Sequence, residues 1–153
     1  LFRSAMVKED VAYATCKEEV ENILADFRNR DIPVAVINEH LQGDLVKFYG
    51  VHGTDFFYWF YPSPCSHSKF GLEKINGIAK GIPFSVEELK IQSDKAAEAL
   101  NVPIYGGDCV VSADGTLRII DFNDWPSFAR CREEAGGKIA ECIYNRAKKQ
   151  MKQ

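Results

Sequence analysis

The chain has 153 residues, 46% hydrophobic and 27% charged, with a formal net charge of −3. That is an ordinary soluble composition, long enough for a sizeable core. It argues against a basic nucleic-acid surface, and no apolar run reaches membrane-spanning length. The five cysteines (Cys16, Cys65, Cys109, Cys131, Cys142) are odd in number and scattered, without Cys-x-x-Cys spacing. Free thiols in a reducing compartment are expected, hence a cytoplasmic location and no zinc site. The chain opens Leu1-Phe2-Arg3 with no secretory signal, as expected of a processed or truncated chain.

In chain order, Val11-Ala12-Tyr13-Ala14 reads as a short strand, and Thr15-x-x-Glu18 as a capping box. The helix it opens is expected over about residues 15–29, with Val20, Ile23, Leu24 and Phe27 as one buried stripe. Val34-Ala35-Val36-Ile37 is a continuous apolar run, the pattern of a strand covered on both faces. A polar connector follows to Asp44. Leu45–Val51 and Phe56–Tyr61 then predict a hairpin about His52-Gly53-Thr54. The aromatics of its second strand suit core packing better than base stacking, for want of basic neighbours. Pro62–Lys69 is a loop in which His67 and Lys69 face equal readings, substrate cover or plain surface. Residues 70–83 show no clear period. Ser85-Val86-Glu87-Glu88 is a second capping box, opening a helix to about Leu100 with Leu89, Ala96, Ala97 and Leu100 inward. A last helix is expected from Ser127 or Arg130 to about Lys149, with Ile139, Cys142 and Ile143 apolar and lysines at its negative end.

Between these helices lies the most informative stretch. Gly107-Asp108-Cys109-Val110-Val111-Ser112 and Ile119-Ile120-Asp121-Phe122-Asn123 flank Asp114-Gly115, the strongest short-range hairpin signal. With a two-residue turn, Ser112 faces Leu117, Val110 faces Ile119, and Asp108 faces Asp121. Asp121 and Asn123, two apart on a strand, leave the same face. Like charges placed opposite repel. Two carboxylates and an amide oxygen side by side are hard donors for a cation such as Mg²⁺, with phosphates completing its shell. The plainer reading is a pair of strand-end acids in solvent. Cys109, on the other face, is expected to be a core thiol, and Asp124 a cap or turn residue.

A hairpin with Asp on one strand and acid-x-Asn on the next, followed by Pro126, resembles the metal-binding end of the ATP-grasp superfamily. Its members include D-alanine–D-alanine ligase, glutathione synthetase, the ribosomal-protein glutamate ligases and the inositol trisphosphate kinases. The resemblance implies that Asp108, Asp121 and Asn123 hold the Mg²⁺ (or Mn²⁺) ions bridging the phosphates of ATP. Asp121 stands where Glu is commoner. The segment Ile37–Lys47 is similar to a second part of that fold. It implies an adenine hinge at Glu39 and His40, a ribose acid at Asp44, and a phosphate cation of catalytic weight at Lys47. By its own chemistry the stretch is equally a surface turn with an ordinary Asp/Lys pair.

The resemblance runs over about Val11 to Ile143. It implies an α+β, ATP-grasp-like fold with a mainly antiparallel sheet and flanking helices, in one domain. Residues 1–37 would be the remainder of a small subdomain and residues 38–153 a large one, the upstream subdomain missing or truncated. The expected upstream lysine and glycine-rich lid have no match, since Met6–Asp10 lacks glycine and leaves Lys8 unassigned. Gly106 and Gly107 stand where some relatives carry arginine. The implied function is Mg-ATP binding within an ADP-forming carboxylate–amine ligase that works through an acylphosphate on a small-molecule or peptide acceptor. The alternatives are a kinase for a hydroxyl acceptor and a nucleotide-binding domain without turnover.

Overall fold

A computed structural model describes residues 7–62 and 75–151, so the expected roles of His67 and Lys69 fall outside the described residues. The chain divides into two units, Leu1–His40 with Cys65–Gly77, and Leu41–Pro64 with Ile78–Gln153.

The first unit contains a 3₁₀ turn, Lys8–Asp10, and helix α1, Lys17–Asn29. The helix begins later than the capping box predicts because Thr15 bonds Glu19, not Glu18. Its amide and hydroxyl both donate to the Glu19 carboxylate, at 2.7 and 2.9 Å. At the other end Arg30 ties the helix to the 3₁₀ turn. Its guanidinium donates to Asp10 Oδ1 and Asp26 Oδ2 at 2.9 Å each and to the Glu9 carbonyl at 2.7 Å. The stripe Val20, Ile23, Leu24 and Phe27 is half-buried, not buried, and lines a cleft of about 590 Å³. The expected strands at 11–14 and 34–37 do not form. Val34, Val36 and Ile37 are 56%, 79% and 68% exposed. An apolar run becomes a strand only against a partner ladder, and among the described residues of this unit no strand offers one.

The second unit is α+β. Strands β1 (Asp44–Val51), β2 (Phe57–Phe60), β3 (Ile104–Val111) and β4 (Leu117–Asp124) form one antiparallel sheet in the order β2-β1-β3-β4. Helix α2, Val86–Leu100, opens as expected, Ser85 Oγ accepting from the Glu88 amide at 3.1 Å. It closes at Asn101, whose φ of 54° is the left-handed conformation asparagine tolerates. Leu89, Ser93 and Ala97 are its buried side, whereas Leu100, expected inward, is 60% exposed. Helix α3, Arg132–Gln150, starts later than expected, at N-cap Cys131. It buries Ala135 and Cys142 but leaves Ile143 49% exposed. Among the described residues no helix is long and apolar enough to cross a membrane.

Strand alternation gives the sheet two unlike faces. Val46, Phe48, Tyr105, Cys109 and Val111 point one way and pack with Leu89 and Ala97 of α2. On the other face Val51, Ile104 and Phe56 pack with Phe128, Cys131, Ala135 and Cys142, on and before α3. Burial pushes the Cys109 thiol up to about 11, so it is an inert core group. Tyr105 donates to Asp94 Oδ1 at 2.8 Å, and burial with that bond drives its phenol far above the usual range. Gly50 makes room for this ring, since a Cβ there would stand 2.3 Å from the Tyr105 hydroxyl.

The β3–β4 hairpin keeps one predicted pairing and loses the others. Ser112 and Thr116 bracket a three-residue loop closed by Ser112 N–H to Thr116 carbonyl at 3.0 Å, with Gly115 at φ 82°. This shifts the register next to the turn, so Leu117 faces Val111 and Ile119 faces Cys109, not Ser112 and Val110. A bulge between Cys109 and Asp108 then absorbs Ile120 and restores Asp108 opposite Asp121.

Candidate functional site

Three of the expected residues stand in one row across the sheet. Lys47 pairs with Asp108 between β1 and β3, and Asp108 with Asp121 between β3 and β4. Neighbouring strands in a ladder lie about 5 Å apart, so the three side chains rise side by side on the α3 face. Asn123, two residues beyond Asp121, shares that face opposite Gly106. Cys109 and Asp124 alternate to the other side.

The electrostatics of the row answer the repulsion that the sequence poses. Lys47 Nζ donates to both Asp108 oxygens, at 2.9 and 2.8 Å, with the side chains 26% and 21% exposed. Asp121 is more open, and its Oδ2 accepts from Asn123 Nδ2 at 2.5 Å. That bond leaves Asn123 Oδ1 outside it. One acid is thus neutralised by an ammonium and the other steadied by an amide. Among the described residues no three His, Cys, Asp or Glu side chains converge as a metal cluster.

The glycines beside Asp108 have a steric reason. A Cβ on Gly106 would come within 2.8 Å of Tyr49 Cδ1 and Pro126 Cγ, and one on Gly107 within 2.2 Å of the Asp121 carbonyl. Any larger residue here would push β4 and the Tyr49 ring away from the row.

Asp44 does not join the row. Three residues from Lys47, it points to the opposite face and is 3% exposed. Its oxygens accept the amides of Lys80 and Ile82 at 2.8 Å each, which fastens residues 80–82 to the start of β1. Burial alone would raise its carboxyl, but the amides of Lys80, Ile82 and Gly81 hold it below the usual carboxylate range. The expected ribose acid is therefore placed as an internal tie. Glu39 and His40 belong to the first unit and are exposed. There His40 Nε2 lies 2.9 Å from Asn76 Oδ1, and its ring meets Tyr13 edge-on at 5.0 Å.

One neighbour of the row, Arg130, is expected from the sequence only as a candidate helix start. The Arg130 guanidinium lies 4.3 Å over the ring of Phe60, the β2 partner of Lys47. The segment that delivers it is strained. Trp125 and Phe128 are non-glycine residues at φ 43° and 49°, conformations costing roughly 1–3 kcal/mol each. No protein-family model matches the chain, and neither does any curated protein or solved structure.

Proposed function

We propose that the α3 face of the sheet binds a magnesium–ATP complex, as an ATP-grasp domain of an ADP-forming carboxylate–amine ligase. The observation that carries the reading is the register: Lys47, Asp108 and Asp121 as successive partners, with Asn123 on the same face. The donors fit a hard divalent ion, since all are oxygens and the two acids gain from a cation between them. Asp108, Asp121 and Asn123 Oδ1 would hold it. Bound there, Mg²⁺ would neutralise charge on the phosphate oxygens. Lys47 keeps Asp108 in place through two hydrogen bonds and offers a point charge to a phosphate. Asp44 has no part in this reading, because it leaves β1 on the face opposite Lys47 and Asp108.

Calorimetric titration of Mg-ATP tests it. Wild type binds in a Mg²⁺-dependent way, and Asp121→Ala loses at least about tenfold in affinity while folding normally. An unchanged Asp121→Ala curve refutes the site. ADP release that requires an added amine identifies a ligase, and release that requires a hydroxyl compound identifies a kinase. The hold of Lys47 on both Asp108 oxygens favours a second reading, a nucleotide-binding domain without turnover. Mg-ATP binding with no ADP under either condition would establish that one.

A further inference from the structure

The polar row has a direction. Toward β4 it ends in Asp121 with Asn123 beside it, and toward β2 it ends in Phe60, the partner of Lys47. Over Phe60 lies Arg130, so negative charge gathers at the β4 end and positive charge at the β2 end. Lys47 is already engaged with Asp108, whereas among the described residues no carboxylate pairs with Arg130. A guanidinium held over an aromatic ring keeps N–H donors that the ring does not use.

The backbone independently marks this placement. Residues 125–131 turn back over the α3 face through two left-handed non-glycine residues, Trp125 and Phe128. Phe128 is only 5% exposed and packs on Tyr49 and Phe56, at ring separations of 5.2 and 6.3 Å. The Trp125 amide donates to the Ile104 carbonyl, which ties the start of the segment to β3, and the Cys131 amide to the Phe128 carbonyl, which closes a turn about Arg130, each at 2.9 Å. The strained conformation seats Phe128 in the core, and that seat sets where Arg130, two residues on, leaves the chain.

We infer that Arg130 is an oxyanion-binding residue, its fork taking two oxygens of a phosphate or carboxylate group over the Lys47 end of the row. The pairing is bidentate N–H···O⁻, for which arginine is suited and lysine is not. It rests on the surroundings of Arg130 and does not require the ligand to be a nucleotide.

The test is calorimetry on the whole chain with pyrophosphate and, separately, glutarate, both without metal, and then with Mg-ATP. At least one of the two metal-free probes binds wild type and identifies the group as phosphate or carboxylate. Arg130→Ala weakens that probe about tenfold, and Arg130→Lys weakens it less. Arg132→Ala, a charge loss two residues away, leaves it unchanged. Should Arg130→Ala fail to fold, a weaker affinity in Arg130→Lys than in Arg132→Ala carries the inference, and equal affinities overturn it. It also falls if neither metal-free probe binds, if Arg130→Ala binds like wild type, or if Arg132→Ala weakens binding equally, which is diffuse charge. Pyrophosphate held through Arg130 with no Mg-ATP binding supports this inference and removes the nucleotide reading. Mg-ATP binding with every probe indifferent to Arg130 does the reverse.

Discussion

On the α2 side of the sheet, Val46, Phe48, Tyr105 and Cys109 meet Leu89 and Ala97 and are at most 1% exposed. On the α3 side, the same two strands present Lys47 and Asp108 in mid-length, half-buried, between the buried Val110 on one side and Val51 and Ile104 on the other. Period-two alternation lets one strand serve both purposes, one face supplying stability and the other carrying charge. An ion pair in such a position is weak evidence for stability, since well-packed apolar residues would serve as well or better.

Substitutions that break this contrast should rank by face. Phe48→Ala empties the sealed side and is expected to lower the unfolding free energy by about 3–5 kcal/mol in urea titration. Asp44→Ala strands the amides of Lys80 and Ile82 and should cost about 2 kcal/mol. Because the folded-state value of Asp44 is lowered, its contribution is present above the ordinary carboxylate range and lost as pH falls through that lowered value. Wild type should therefore lose more stability than Asp44→Ala on acidification, which urea titrations from neutral to strongly acidic pH would show. Lys47→Met leaves Asp108 facing Asp121 without its ammonium, a loss of about 1 kcal/mol that added salt diminishes. A loss insensitive to salt would mean that packing, not charge, is what Lys47 contributes. Least of all, Ser93→Ala should be neutral or raise stability by up to about 1 kcal/mol, because among the described residues its buried hydroxyl has no partner.

What the sequence made legible follows the range of the interactions. Ser85 caps α2 through a bond three residues long, and Asp114-Gly115 marks a turn that does form. The pairing of Asp108 with Asp121 could be read because both strands meet at that turn. Their bulge could not, since an odd loop and an extra residue cancel and leave the same partners. Val34–Ile37 forms no strand, because an apolar run calls for cover but does not supply a partner strand. The amide cradle of Asp44 joins β1 to residues 80–82, and Arg130 meets Phe60 across most of the unit. Nothing local announces either.

The bulge at Ile120 has a further effect on the border of the sheet. Among the described residues β4 has no neighbour beyond it in the sheet, and an unbroken outer strand invites a foreign strand to zip alongside. The surplus residue throws its amides out of step, and Asp121 and Asp124 add repulsion along the same margin. The irregularity that keeps two acids abreast thus also guards that flank against unwanted company.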